Sequence, residues 1–211
     1  PEVKGRLDEI ERIELTTHES AIRIISKEGA LANPADRDHC LQYMVAVPLM
    51  LGELQAEHYE DDFHQAHPEI DELRERMVVV EDEGFTRDYL DPDKRSIANA
   101  VRVVFTDGSA TDKVEVAYPI GHRRRREEGM AVLEAKCRRH LATRFAPGRC
   151  DEIMALYQDA ERLAGEGINA FHHPAGIGVA AEAVKGVEQP AAVAEAVETD
   201  SVQHQVVFAV T

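Results

Sequence analysis

The chain has 211 residues, a length that suits one domain with appendages or two small domains. Apolar residues make up 44% and charged residues 30%, which is typical of a globular protein, and the absence of Trp with only 5% aromatic residues predicts an aliphatic core. Asp and Glu outnumber Lys and Arg by 40 to 24, and this formal charge of -16 argues against nucleic acid and anionic membranes as partners.

The first predicted element is a strand over residues 7–18, in which Ile13 and Leu15 alternate with polar side chains. This alternation indicates a strand with one face buried. A short helical turn follows, beginning after Ser20 and ended by Gly29.

Residues 33–52 are predicted to form one buried helix, because they begin with capping residues, end at Gly52 and are apolar on nearly every side. In its first half, Asp36, His39 and Tyr43 follow the spacing of one helical face. Polar groups on a buried helix need partners, so this polar stripe belongs either to a satisfied network or to the lining of a ligand cavity. The spacing by itself favours the network.

The middle of the chain completes a small sheet. Residues 53–77 read as two short helices, 78–81 as a strand and 82–94 as a polar loop. Residues 101–105 and 114–118 form an antiparallel hairpin, since apolar residues alternate in both and a Gly-containing turn separates them. We therefore predict an α+β fold, with a small antiparallel sheet of about four strands covered by helices.

The last part of the chain is predicted to be helical and then poorly ordered. Helices are expected over residues 127–145 and 150–163, followed by a tail rich in Ala, Val and Glu over residues 172–211. The predicted organisation is thus an α+β domain over residues 1–126, helices over residues 127–171, and the tail.

A run of basic side chains over residues 122–126 contrasts with the acidic remainder. It precedes a predicted helix, whose N-terminal amides favour anions, and arginine binds carboxylates through two parallel hydrogen bonds. The run is either a solvated turn that balances the acidic surface or a clamp for a carboxylate or phosphate. Its candidate ligand-binding residues are His122, Arg123, Arg124 and Arg125.

No metal site is predicted. His58, His64 and His67 are the closest group of histidines, but they lack the i, i+4 spacing of helical metal ligands, and we expect them to be surface residues. GxSxG, Walker A and GxGxxG patterns are absent, so neither a nucleophilic serine nor a nucleotide is indicated.

The remaining features point to a cytoplasmic protein without a cofactor. The three cysteines are too few for a disulfide framework and contain no CxxC pair. No signal peptide and no apolar run of about 18 residues is present, so we expect no membrane contact. Since the first residue is Pro1 rather than Met, we also expect a piece of a longer protein.

Six short stretches of the sequence together resemble the carboxyl-terminal portion of the MmgE/PrpD family. They are residues 17–25 (THESAIRII), 33–39 (NPADRDH), 42–49 (QYMVAVPL), 91–95 (DPDKR), 97–100 (IANA) and 118–125 (YPIGHRRR). The resemblance is specific, because long unbroken words recur in the same order.

The resemblance implies a hydro-lyase that needs no iron–sulfur cluster and has two domains, a large helical domain and a smaller α+β lid. The implied reaction converts 2-methylcitrate, a tricarboxylate, to 2-methyl-cis-aconitate in propionate breakdown. We expect this chain to be the lid and the returning helices, inactive without the missing amino-terminal helical domain; a homodimer is compatible with the resemblance. Two alternatives stay open: a related lyase or epimerase acting on another polycarboxylate, and a non-catalytic binding module.

The resemblance also favours a ligand site, rather than a purely structural network, at the polar stripe. The family's tyrosine that lines the active site falls on Tyr43, and Asp36, Arg37 and His39 lie in the matching stretch. We expect Tyr43, His39 and Asp36 to be catalytic, with Tyr43 or His39 transferring a proton. Arg37 and the basic run are expected to hold the substrate carboxylates.

Overall fold

The computed structural model describes residues 3–165, which belong to two compact units that divide after Arg125. The predicted tail, residues 172–211, lies outside the described residues. The assignment of the first unit as a lid and of the second as returning helices of a helical domain stays a prediction.

The first unit contains a four-stranded sheet in the order β2-β1-β3-β4. The strands are β1 Ile10–Thr17, β2 Met77–Glu81, β3 Asn99–Phe105 and β4 Val114–Val116. β1 pairs antiparallel with β3, and β3 with β4, whereas β1 and β2 are parallel with Leu15 opposite Val79. The α+β class is confirmed, but the sheet is mixed rather than antiparallel, because a long helical crossover between β1 and β2 returns the chain to the same end of the sheet.

Six short helices accompany this sheet in the first unit. They are α1 Glu19–Ile25, α2 Pro34–Asp38, α3 Leu41–Leu51, α4 Asp61–Ala66, α5 Glu69–Glu75 and α6 Glu83–Leu90. Helix α6 lies where a polar loop was predicted, so that prediction is wrong. The Asp82 carboxylate caps α6 by accepting hydrogen bonds from the backbone N–H groups of Gly84 and Phe85, which offsets the lack of a buried apolar face.

The core of the first unit lies between one face of the sheet and the helices. Every residue of α3 from Leu41 to Leu49 is buried, which confirms the predicted buried character of this stretch. Ile13 and Leu15 of β1 and Val103 of β3 face it in one apolar cluster. On the other face of the sheet, side chains such as Val78 are half exposed, as expected for a sheet covered on one side.

The predicted single helix over residues 33–52 is broken in two. Asn33 caps its start and Gly52 ends it in the left-handed conformation, both as predicted. However, α2 ends at Asp38, and His39 and Cys40 leave the helical conformation before α3 begins. Asp36, His39 and Tyr43 therefore do not share one helical face. The Asp-His-Cys sequence at the break contains only weak helix formers.

The second unit, within the described residues, is helical. Its helices are α7 Arg126–Ala142, α8 Pro147–Gln158 and α9 Ala160–Gly165. The predicted last helix is thus two helices that divide at Asp159, and Cys150, Ile153 and Met154 are buried in α8. None of the helices described in either unit is long and apolar enough to cross a membrane.

Candidate functional site

Arg37 is enclosed within the first unit, with only 1% of its surface exposed. Its Nε donates a hydrogen bond to the carbonyl oxygen of Tyr59 at 2.6 Å, its Nη1 donates to Nδ1 of His64 at 3.4 Å, and its Nη2 donates to the carboxylate of Asp61. A substrate carboxylate could reach this guanidinium only by displacing these contacts. The substrate-binding role of Arg37 stays a prediction, and its visible role is to hold residues 59–64 against α2.

Tyr43 is also fully buried. Its hydroxyl donates a hydrogen bond to the carbonyl oxygen of His58 at 2.6 Å, and its ring packs against those of Tyr59 and His64. Burial raises the pKa of Tyr43 to about 12, against the opposing charge of Arg37. The phenol is therefore protonated at neutral pH and faces the protein interior, so its catalytic role stays a prediction that requires this segment to open.

Asp36 acts as an acceptor at the start of α2. Its carboxylate accepts hydrogen bonds from the backbone N–H of Ala32 at 3.1 Å and from Nδ2 of Asn33 at 3.2 Å, and Nζ of Lys27 lies at 3.3 Å. The bond from Ala32, together with that from Lys27, lowers the pKa of Asp36 below its ordinary value. Since the ionised form has no proton to give at neutral pH, Asp36 is not suited to be a general acid.

His39 and Asp36 are the predicted catalytic residues whose side chains are partly exposed, and His39 is the one that can carry a proton acceptor and a donor in the same ring. The break between α2 and α3 brings its Nδ1 to 2.5 Å from Oδ1 of Asp38, and 39% of its side chain is exposed. An ionised carboxylate can only accept, so Nδ1 donates to Asp38, and in the neutral form of the ring this tautomer places the lone pair on Nε2. Within the described residues Nε2 has no partner, and a histidine oriented in this way can accept a proton from a substrate.

The basic turn, defined here as residues His122 to Arg125, packs on the turn formed by residues 91–95. Nη2 of Arg123 and Nη2 of Arg124 donate to the same acceptor, the carbonyl oxygen of Asp93, at 3.0 and 2.7 Å. These two nitrogens are therefore no farther apart than the sum of those distances. Nη1 of Arg125 donates to the Tyr118 carbonyl at 3.0 Å.

His122 joins the same two turns. Its Nε2 lies 3.0 Å from the carbonyl oxygen of Arg95, and its Nδ1 accepts the backbone N–H of Arg124 at 3.1 Å. Burial lowers the pKa of His122; the bond to Arg95 opposes this, and the charges of Arg123 and Arg124 add to it. His122 is thus committed to backbone contacts, which differs from the direct substrate contact expected for it.

The charges of Arg123 and Arg124 are not neutralised within the described part of the chain, where neither side chain has a carboxylate at ion-pair distance. Both side chains are exposed. Each guanidinium keeps its Nε and Nη1 donors after bonding to Asp93, so the pair can bind carboxylate groups. Of the two sequence-based interpretations of the basic run, this arrangement favours the anion clamp.

His58 and His64, which were expected to be surface residues, both make specific hydrogen bonds within the first unit. His58 is buried and its Nδ1 accepts the backbone N–H of Gln55, while Nε2 of His64 donates to the Asp71 carboxylate at 3.0 Å. The surface prediction is therefore wrong for His58. Over residues 3–165, no group of three or more His, Cys, Asp or Glu side chains is arranged to hold a metal ion.

The contacts described above fall into separate groups, and the predicted stripe of Asp36, His39 and Tyr43 is divided among them. Arg37 and Tyr43 lie in a buried cluster, His39 pairs with Asp38, and the basic turn lies on residues 91–95. Sequence reasoning missed Asp38 and the residue 91–95 turn as site elements. The adjacent Asp-His pair was a visible signal for the former, whereas nothing local links the two turns, which are about 30 residues apart.

Comparison with known proteins places this chain in a family. Residues 1–160 match the model of the MmgE/PrpD C-terminal domain. The chain is 52% identical over 163 residues to a protein of Cupriavidus necator named 2-methylcitrate dehydratase, an alignment that covers 77% of this chain and 34% of that relative. It is 52% identical over 148 residues to the mitochondrial 2-methylcitrate dehydratase of Yarrowia lipolytica, covering 70% of this chain and 28% of the relative. The 2-methylcitrate dehydratase of Escherichia coli K12 is 48% identical over 163 residues, covering 77% and 34%. The chain therefore spans about a third of the length of these relatives.

Proposed function

Because the chain belongs to the MmgE/PrpD family and matches its C-terminal domain, we propose that it is the carboxyl-terminal part of a hydro-lyase that removes water from 2-methylcitrate. The names of relatives about half identical to it support this reaction. The structural observation that carries the proposal is the clamp of Arg123 and Arg124, whose positive charges have no carboxylate partner among the described residues. A tricarboxylate substrate requires such cations.

In the proposed reaction a base removes a proton from a carbon beside a carboxylate, and the released electron pair forms the C=C bond as hydroxide leaves. The hydroxide takes a proton from an acid and departs as water. Neutral His39 accepts the substrate proton at Nε2, and Asp38 stabilises the imidazolium that forms. Arg123 and Arg124 hold carboxylate groups, and the acid comes from the part of the protein beyond this chain. The proposal requires that one substrate reaches both His39 and the clamp.

The clamp is tested by replacing both Arg123 and Arg124 with Gln in the complete protein. We expect KM for 2-methylcitrate to rise by roughly 10², because each lost charge-assisted hydrogen bond costs about 1.5 kcal/mol or more. The measurement is the initial rate of formation of the conjugated double bond as a function of substrate concentration. Arg87→Gln is the control, since Arg87 is an exposed arginine that forms a loose ion pair with Glu83.

Three outcomes would contradict the proposal. An unchanged KM in the double variant removes the clamp, and turnover of a different polycarboxylate in preference to 2-methylcitrate favours a related lyase or epimerase. Anion binding without any turnover by the complete protein favours a non-catalytic binding module. The 211-residue chain alone is expected to show no turnover, because it spans about a third of its relatives.

Tyr43→Phe separates a structural from a catalytic role of Tyr43. We expect the free energy of unfolding of the chain to fall by about 1–3 kcal/mol, because the buried His58 carbonyl loses its donor. Urea unfolding followed by circular dichroism measures this change. If the complete variant enzyme, while folded, also loses turnover by roughly 10² or more, Tyr43 is catalytic as predicted; turnover close to that of the unaltered enzyme leaves only the structural role.

Partners and location are part of the same proposal. Relatives that extend well beyond this chain support an additional domain, which we propose to be the amino-terminal helical domain that completes the active site. A homodimer and a cytoplasmic location stay predictions, and the name of the Yarrowia lipolytica relative indicates a mitochondrial protein. Size-exclusion chromatography with light scattering on the complete protein tests the dimer.

A further inference from the structure

The turn formed by residues 91–95 has an unusual backbone. Arg95 has φ 48°, and it is the one non-glycine residue with positive φ in the part of the chain that the structure describes. Side chains with a Cβ rarely adopt this conformation, which persists only where surrounding contacts hold it. The Asp91 carbonyl closes the turn by accepting the backbone N–H groups of Lys94 and Arg95 at 3.2 and 2.8 Å.

This backbone conformation presents three carbonyl oxygens to the basic turn. Those of Pro92 and Asp93 accept hydrogen bonds from Arg123, and that of Asp93 also accepts one from Arg124. The third carbonyl, that of Arg95, has His122 as its partner. The guanidinium groups of the clamp are therefore oriented by backbone acceptors rather than by carboxylates, which leaves their charge available for a ligand.

The two contacts of His122 define its protonation. The Arg95 carbonyl can only accept, so Nε2 of His122 carries a proton, and the Arg124 backbone N–H can only donate, so Nδ1 is unprotonated. One neutral tautomer satisfies both neighbours. The His122 ring also packs against the Tyr118 ring, with 4.7 Å between the ring centroids. The guanidinium of Arg124 lies over the same Tyr118 ring, 5.2 Å from its centroid.

We propose that His122 is a positioning residue of the anion clamp, a neutral bridge that locks the basic turn onto residues 91–95 so that Arg123 and Arg124 face the substrate carboxylates together. This inference rests on the proposed function, because it assigns His122 a role in binding a polycarboxylate substrate. It replaces the direct substrate contact that the sequence predicts for His122. The chemical step does not involve the imidazole, so its loss should affect substrate binding and not the rate of bond breaking.

Three substitutions separate the two hydrogen bonds of His122. His122→Phe keeps a ring against Tyr118 but removes both bonds. His122→Gln places an amide N–H near the position of Nε2, and His122→Asn places an amide oxygen near that of Nδ1, so each keeps one bond. His67→Asn is the matched control, because Nδ1 of His67 is bonded to the Glu69 carboxylate in a partly exposed pair far along the chain.

Three measurements test the proposal. Citrate is the probe for calorimetric titration of the 211-residue chain, and KM and kcat for 2-methylcitrate are measured with the complete protein. We expect His122→Phe to raise both the Kd of citrate and KM by roughly tenfold, as for the loss of one to two hydrogen bonds, with kcat nearly unchanged. The Gln and Asn variants should each recover part of this loss. In the ¹⁵N-labelled chain, imidazole nitrogen shifts should show His122 as the Nε2–H tautomer.

The results that would contradict the positioning role of His122 differ from those that would contradict the proposed reaction. An Nδ1–H tautomer, an unchanged citrate Kd in His122→Phe, or a fall of kcat at constant KM overturns the positioning role even if the enzyme is a dehydratase. Conversely, if the complete protein shows no turnover but the citrate affinity of the 211-residue chain falls in His122→Phe, the positioning role is retained and the proposed reaction is lost. If His122→Phe does not fold, the Gln and Asn variants decide between the two results.

Discussion

Replacing His39 with Gln in the complete protein is expected to lower kcat for 2-methylcitrate by about 10²–10⁴ with little change in KM. Gln cannot accept a proton, whereas Nε2 of His39 has a lone pair, no partner among the described residues and an exposed position. The free energy of unfolding should change little, because His39 lies outside both helices and the one described hydrogen bond of its side chain is with its neighbour Asp38. Steady-state kinetics and urea unfolding of the same preparation measure both effects.

The role of Asp38 is tested alongside, since the structure assigns it to orienting His39. Asp38→Asn should lower kcat by at least about tenfold, because a neutral amide stabilises the imidazolium less and no longer fixes one tautomer. His67→Gln is the control: His67 and Glu69 form a similar imidazole–carboxylate pair at 2.9 Å that has no part in the proposal. If the His39→Gln enzyme retains kcat within a factor of a few, or if the His67→Gln enzyme loses as much, the acid–base role of His39 is wrong.

Replacing Arg37 with Met is expected to lower the free energy of unfolding by about 1.5–3 kcal/mol, the range for losing hydrogen bonds that involve a charged group. The substitution removes the guanidinium that donates hydrogen bonds to the Tyr59 carbonyl and to His64 and that pairs with Asp61. The Tyr59 carbonyl loses this donor next to an apolar side chain, whereas the Asp61 carboxylate, 58% exposed, can be rehydrated. Met fills much of the same volume, so the loss reports the missing hydrogen bonds rather than a cavity. Urea unfolding of the 211-residue chain, followed by circular dichroism, measures the change.

Arg23→Met is the control for this experiment. Arg23 is 70% exposed in its side chain and forms only a 3.7 Å ion pair with Glu19, so its loss should cost less than about 0.5 kcal/mol. The sequence-based alternative, in which Arg37 binds substrate, predicts a different pattern, namely a raised KM in an enzyme of unchanged stability. That pattern would show that the buried contacts of Arg37 are dispensable and that the residue faces the ligand.

Much of the local structure could be predicted because it depends on neighbours along the chain. Asn33 accepts the N–H of Asp36 three residues on, and Gly52 adopts the left-handed conformation that ends α3. The hairpin and the alternation in β1 depend on a period of two, and the burial of α3 on its nearly continuous apolar surface. Family membership could also be predicted from the sequence, because long unbroken stretches of residues resemble the family.

The candidate site could be predicted only in its residue types. Arg37, His39 and the basic run were recognised as chemically capable groups, but their partners lie elsewhere along the chain: Asp61 for Arg37, and the carbonyls of residues 92–95 for the basic turn. The sequence shows where positively charged side chains occur. It does not show whether a carboxylate from another part of the fold neutralises them. The structure neutralises Arg37 and leaves Arg123 and Arg124 open within the described residues.

By itself, then, the sequence determined the family, the α+β class, the helix ends at Asn33 and Gly52 and the burial of α3, because these follow from spacing and from side-chain chemistry within a few residues. Only the tertiary structure decided that β2 pairs parallel with β1 and that Tyr43 faces the His58 carbonyl. Those outcomes depend on which distant backbone groups are available once the core has closed. Buried polar groups must find partners wherever the fold provides them, and that supply is a property of the whole unit.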